Sequence, residues 1–281
     1  MGSSVQTGRI RKGPARIMNI CVIIPAAGRG TRFGKDDKLA RELGGRAVLL
    51  RTIECFTRRD DVASVIVAGP PDDFESFKER YGASLGFHGV ALVEGGRADR
   101  WETVRRALSH VPEDATHVAV HDAARPMIDD PLLDRLFEAA SRLPAVIPAV
   151  DMTSTIKRID PSAGFDVGES GDVVADSILG EAGRLAIEAR PVLETADRSE
   201  LVAAQTPQIF NRSLLVRAYE REGEGVTDDA QAVERIGETV HVVPGDAANI
   251  KITTEDDLNL CEALLKARQR ASRAAADPFA G

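Results

Sequence analysis

From Met18 onward, short runs of β-branched apolar residues alternate with amphipathic stretches, and this rhythm leaves few architectures open. The run Ile20-Cys21-Val22-Ile23-Ile24 has no polar face, so it reads as a strand buried on both sides, as in a parallel sheet covered by helices. Similar runs follow at 64–68, 89–93, 116–121 and 145–150. Helical patterns fill the gaps at 47–57, 72–81 and 98–110, with a further helix opened by Asp130 as cap and Pro131 at its first position. Repeated right-handed strand-helix-strand crossovers predict an α/β fold: a three-layer, doubly wound, mixed but mostly parallel sheet, with ligands at the carboxyl ends of its strands.

Between residues 153 and 200 the rhythm breaks into a stretch rich in Gly, Asp, Glu and Ser, with strand-like pieces at 172–175 and 185–187. It is too long for an ordinary loop and predicts an irregular or hairpin-like insertion. Helices capped by Asn211 and Thr227, a strand at 239–243 and a helix opened by Thr254, with Asp257 three residues on, complete the pattern. Residues 1–17 are expected to be a disordered tail, 18–270 one domain with an arm insertion at about 153–200, and 271–281 a frayed Ala-rich end.

The chain of 281 residues is 43% hydrophobic, enough for a sizeable core. Its net charge of −8 repels nucleic-acid backbones and anionic membranes, so an anionic ligand needs a local cluster of cations. Aromatics at 4% leave little for stacking single-stranded nucleic acid. Three scattered cysteines, Cys21, Cys55 and Cys261, form neither a disulfide framework nor a zinc motif, and no apolar run approaches bilayer length. Both observations fit a cytoplasmic protein. Lysine occurs only seven times against 29 arginines, which makes a lysine inside a motif informative.

The first such motif is Pro25-Ala26-Ala27-Gly28-Arg29-Gly30-Thr31-Arg32-Phe33-Gly34, with Lys38 four residues on. Small residues let backbone amides approach a phosphate chain, and Arg32 and Lys38 supply charge to neutralise it. The third glycine falls one place late for a dinucleotide site, and Gly-Lys-Ser/Thr is absent. The second motif is Gly95-Gly96-Arg97-Ala98-Asp99-Arg100-Trp101-Glu102-Thr103, a strand end entering a helix. Its amides and the Thr103 hydroxyl suit a base edge, and Arg100 a phosphate; ordinary decoration of a helix start is the plainer account. In the third, His121-Asp122-Ala123-Ala124-Arg125-Pro126, Asp122 is placed as a Mg²⁺ ligand at a strand end. There His121 reads as a satisfied core histidine and Arg125 as a partner for a neighbouring carboxylate. Further candidates are Thr155-Ile156-Lys157, Arg198, Gln205-Thr206-Pro207-Gln208, Thr227-Asp228-Asp229-Ala230 and Asn249-Ile250-Lys251-Ile252-Thr253. No catalytic triad spacing or zinc-protease motif occurs.

In this order the motifs resemble the 2-C-methyl-D-erythritol 4-phosphate cytidylyltransferases of the non-mevalonate isoprenoid pathway, over about residues 19–265. The resemblance implies a nucleotide-diphospho-sugar transferase-like fold with a protruding β-arm used in homodimerisation. It also implies a reaction joining CTP to a polyol phosphate with release of pyrophosphate, aided by Mg²⁺. It assigns Arg32, Lys38 and Lys251 to catalysis at the phosphates, and Ala26, Ala27, Gly28, Gly30, Gly96, Arg100 and Thr103 to the nucleotide. Asp122 falls at the metal, and Arg125, Thr155, Lys157, Arg198 and Thr206 on the sugar-phosphate side. The chain departs from the family pattern at Leu39-Ala40 and Ser154, and in a longer stretch between Lys157 and Arg198. Alternatives are transfer to another polyol phosphate such as ribitol 5-phosphate, a non-catalytic nucleotide-binding homologue, and a dinucleotide-dependent oxidoreductase.

Overall fold

The computed structural model describes residues 18–28, 37–166, 188–221 and 226–276. They divide into two compact units, one of residues 1–149 and 204–281 and one of residues 150–203. The strand-like pieces at 172–175 and 185–187 lie outside the described residues.

In the first unit, β1 (Ile20–Pro25) pairs in parallel with β4 (Val62–Gly69) on one side and β6 (His117–Val120) on the other. A small hairpin of β2 (Glu42–Leu43) and β3 (Arg46–Ala47) separates β1 from β4, turning through Gly44 and Gly45, whose positive φ values suit glycine. β5 (Ala91–Glu94) extends the sheet beyond β4, and β14 (His241–Pro244) pairs in parallel with β7 (Ala145–Asp151). Between β6 and β7 runs an antiparallel strand, β13 (Gln208–Asn211). The order is therefore β7-β13-β6-β1-β4-β5, the mixed, mostly parallel sheet that the sequence predicts.

Alternation along β1 divides the interior in two. Ile20, Val22 and Ile24 pack with α1 (Val48–Thr57), α2 (Phe74–Phe87) and α4 (Asp130–Ala140) through Phe56, Phe77 and Leu132. Cys21 and Ile23 pack on the opposite face with α3 (Arg100–Leu108), α5 (Arg212–Glu220) and α6 (Asp229–Glu234) through Val104, Leu215 and Val233. Residues 20–24 of β1 are all fully buried, at about 1.5–3 kcal/mol for each large side chain removed from water.

Several boundaries differ from the sequence reading. The cap of α4 is Asp129, whose carboxylate accepts from the Leu132 amide; Asp130 and Pro131 lie one step inside the helix. The cap of α6 is Asp228 rather than Thr227, because Asp228 accepts from the Gln231 amide. Asn211 precedes α5 without a side-chain capping bond. The last helix, α7 (Glu255–Ala276), continues past Arg270, so the expected frayed end is helical as far as Ala276.

The second unit contains two antiparallel pairs, β8 (Lys157–Ile159) with β11 (Val192–Thr195), and β9 (Phe165–Asp166) with β10 (Glu188–Ala189). A 3₁₀ turn at Arg198–Glu200 follows, capped by Asp197, and β12 (Val202–Ala204) leads the chain back to the first unit. Antiparallel ribbons at this place in the chain match the expected β-arm.

Candidate active site

A cavity of about 830 Å³ opens at the carboxyl ends of β1, β4, β5 and β6. It is lined by Ala26, Ala27, Gly28, Lys38, Gly96, Arg100, Thr103, Asp122 and Lys251, nine of the residues singled out by the sequence. Gly30 and Arg32 lie outside the described residues.

Backbone bonds align the strand ends. Ala26 N–H donates to the Ala68 carbonyl at 2.8 Å, and Gly95 N–H to that of Gly69 at 2.8 Å. A Cβ on Gly95 would stand 2.9 Å from Ala27 Cβ, the Gly69 carbonyl oxygen and Thr103 Cγ2, so this floor admits only glycine. Leu39, at the departure from the family pattern, is buried in the core and bonds through its carbonyl to the Leu49 amide.

The turn into α3 is organised from within. Asp99 accepts from the Glu102 amide at 2.8 Å, and the Glu102 carboxylate accepts from the amides of Arg97 and Ala98 at 2.8 and 2.9 Å. Thr103 Oγ1 accepts from Gly96 N–H at 3.1 Å and donates to the Asp99 carbonyl at 3.0 Å. These bonds hold the Glu102 carboxyl below its usual range, chiefly through the Ala98 amide. The amides of Gly96, Arg97 and Ala98 and the Thr103 hydroxyl are thus engaged inside the turn, as in the plainer account of a decorated helix start. Gly96 is required because a Cβ would lie 2.5 Å from Glu102 Cβ.

Asp122 lies two residues past the end of β6 at the cavity wall, almost fully buried. Its Oδ2 has Lys251 Nζ at 3.0 Å and Arg125 Nε at 3.2 Å, while Oδ1 has Arg100 Nε at 3.4 Å. Arg100 also reaches buried Asp229, with Nη2 2.8 Å from Oδ2. Burial opposes the charge on Asp122, but Arg100, Lys251 and Arg125 outweigh it and hold the carboxyl far below its ordinary range. Three cations thus face two carboxylates, and the cluster keeps one positive charge in excess in a chain of net charge −8.

Behind the wall, Thr206 Oγ1 accepts from the Asp122 amide at 3.0 Å and lies 3.2 Å from His121 Nδ1, while His121 Nε2 lies 3.1 Å from the Arg125 carbonyl. A carbonyl only accepts, so Nε2 carries the proton and the Thr206 hydroxyl donates to Nδ1. Burial pushes the His121 pKa down to about 4, so the ring is the neutral, satisfied core histidine expected. Arg125 pairs with Asp122 and donates to the Asn249 carbonyl at 2.7 Å. Asn249 in turn donates to the Thr206 carbonyl, and Ile252 N–H to that of Ala124, each at 2.8 Å; these bonds carry Lys251 to Asp122.

Thr155, Lys157 and Arg198 belong to the second unit, where Lys157 donates to Thr195 and Arg198 to the Thr153 carbonyl. A cavity of about 520 Å³ in that unit is lined by Thr153, Arg198 and Leu201 among others. Sequence reasoning missed the cavity wall formed by Pro70, Pro71, Asp72, Asp73 and Arg80. Its available signal was Pro-Pro-Asp-Asp following a strand, where ligands gather in such sheets.

Comparison with known proteins decides the family. The family model described as 2-C-methyl-D-erythritol 4-phosphate cytidylyltransferase matches residues 20–169 and 174–267. The chain belongs to this cytidylyltransferase family. It is 39% identical to the cytidylyltransferase of Frankia casuarinae over 254 residues, 90% of this chain and 83% of that one. It is 36% identical to that of Streptomyces coelicolor, covering 92% of this chain and 88% of that one. Among solved structures, the 4-diphosphocytidyl-2C-methyl-D-erythritol synthase of Anaerococcus prevotii superposes with a TM-score of 0.68 at 28% identity, covering 89% of this chain and all of the other. The cytidylyltransferase of Thermus thermophilus gives 0.62 at 30% identity, with 89% and 100% covered.

Proposed function

We propose that this chain transfers the cytidylyl group of CTP to 2-C-methyl-D-erythritol 4-phosphate, a step of isoprenoid precursor synthesis. The observation that carries the reading is the cation cluster on Asp122 at the floor of a strand-end cavity, in a chain of this family. An oxygen of the phosphate monoester attacks the α-phosphorus of CTP in line. The bond from that phosphorus to the bridging oxygen breaks, and pyrophosphate leaves with the electron pair. The nucleophile is already ionised near pH 7, so no general base is needed, which matches a cavity whose charged side chains are cations and carboxylates without a free histidine. Lys38 and Lys251, with Arg32, stabilise the charge gathering on the phosphates. The turn at 96–103 shapes the nucleobase end, and Arg125 and Thr206 fix Asp122 and Lys251 from behind. Thr155, Lys157 and Arg198 take the polyol phosphate.

Among the described residues no cluster of three or more His, Cys, Asp or Glu side chains converges, so the donor set is not that of a resident metal site. It fits Mg²⁺ arriving on the triphosphate, which asks the protein for one or two carboxylates, and Asp122 supplies one. The ion would neutralise phosphate charge when bound. We further propose pairing of two copies through the second unit, supported by exposed Ile159, Val192 and Leu193, and a cytoplasmic setting, supported by three free buried cysteines. Among the described residues no helix is long and apolar enough to cross a membrane.

Pyrophosphate release with CTP, Mg²⁺ and a panel of polyol phosphates tests the assignment. Turnover confined to ribitol 5-phosphate would overturn the substrate, and stabilisation by NAD instead of CTP would overturn the class. Lys251→Ala should reduce kcat about 10²–10³-fold, in line with loss of one preorganised charge contact; near-normal turnover would remove Lys251 from the mechanism.

A further inference from the structure

Asp229 has no role in the chemistry above, yet it is a fully buried carboxylate at the first turn of α6. Such a charge persists only with partners, and removing one leaves an uncompensated charge. The Tyr219 hydroxyl donates to Oδ1, and Arg100 Nη2 stands 2.8 Å from Oδ2. The Tyr219 ring stacks on Trp101 at 5.5 Å with 8° between planes, and the Arg105 guanidinium lies over the Trp101 ring at 4.9 Å. Asp229 is thereby fixed, and it occupies Nη2, the second donor on the guanidinium edge whose Nε faces Asp122.

The consequence lies at Asp122. Its Oδ2 is held at 3.0 and 3.2 Å, but the Arg100 guanidinium stops 3.4 Å from Oδ1, where it makes an ion contact without a close hydrogen bond. Arginine and carboxylate otherwise settle at about 2.7–2.9 Å, commonly with two parallel bonds. We propose that Asp229 is a positioning residue that holds Arg100 back from Asp122 and so keeps Oδ1 open to the divalent cation carried by a nucleoside triphosphate. The inference rests on reading Asp122 as a ligand to that cation. With Asp229 neutralised, Arg100 is drawn by one carboxylate instead of two, closes on Oδ1 and competes with the incoming ion.

The test measures CTP affinity of the full chain by calorimetry, with Mn²⁺ and with EDTA, and takes the ratio of the two Kd values as the coupling between cation and nucleotide. A wild-type ratio near one would refute the metal reading itself, apart from any role of Asp229. Given coupling in the wild type, Asp229→Asn should lower the ratio about tenfold, and Arg100→Gln/Asp229→Asn should restore it, since no guanidinium remains to cover Oδ1. An Asp229→Asn protein with a normal melting transition and an unchanged ratio overturns the proposal, as does a double variant that stays uncoupled. If Asp229→Asn does not fold, Arg100→Gln alone decides: a ratio at or above wild type supports the proposal and a fall overturns it.

Discussion

Thr103 shows how a single side chain serves the site without offering its proton to a ligand. Its hydroxyl closes the turn between Gly96 and Asp99, where Glu102 holds two further amides. Thr103→Val leaves the buried Gly96 amide and Asp99 carbonyl without this partner and should cost about 1–3 kcal/mol, read by urea unfolding. The same variant should raise the KM for CTP more than it lowers kcat, and Thr103→Ser should restore both; a kcat defect alone would contradict a shaping role. Lys38 and Lys251 were legible in the sequence because lysine is scarce, and Asp122 because it follows a strand end; all three line the cavity. The partition of Arg100 between Asp122 and Asp229 was not, because it depends on which carboxylates become buried together, and residues 122 and 229, far apart in the sequence, meet through Arg100. Arg125 sat between two readings, and the 3.2 Å contact with Asp122 favours the pairing one.

Among the elements, α7 begins as its sequence says it should. Thr254 Oγ1 accepts from the Asp257 amide, and the Asp257 carboxylate accepts from the amides of Thr253 and Thr254 and from the Thr253 hydroxyl. Asp257→Ala should therefore destabilise the protein by about 1–2 kcal/mol, measured as a lower denaturation midpoint, and a change within error would show that the cap is redundant. One element that escaped the sequence reading, besides the short β2–β3 hairpin, is β13. It is four residues long, follows Thr206-Pro207, and has no alternating pattern because Gln208, Ile209 and Phe210 are all buried. Its strand character comes from β6 and β7 on either side, not from its own composition. The displaced caps at Asp129 and Asp228 have a similar origin: Asp129 and Asp130 at one helix, and Thr227 and Asp228 at the other, both suit a cap, and only backbone geometry selects one.

At the scale of the molecule, pH acts through the buried His121. Its folded pKa of about 4 lies below the ordinary 6.5, so the folded state resists a proton that the unfolded chain accepts. The stability this confers is complete above pH 6.5 and is lost progressively as pH falls towards 4, about 3 kcal/mol in all. Asp122 stays ionised throughout that window, so the loss is not its own. Unfolding free energies between pH 7 and 4.5 should fall less steeply for His121→Gln; parallel slopes would assign the acid sensitivity elsewhere. The position of β1 has a consequence for synthesis. The earliest strand among the described residues, β1, lies mid-sheet and gains its flanks from β4 and β6, whereas Lys251 stands at Asp122 beside the Ile252 amide that donates to the Ala124 carbonyl. A nascent chain can thus close much of its interior before residues 249–252 are made, and on the proposed reading it grips a triphosphate only once they have joined Asp122.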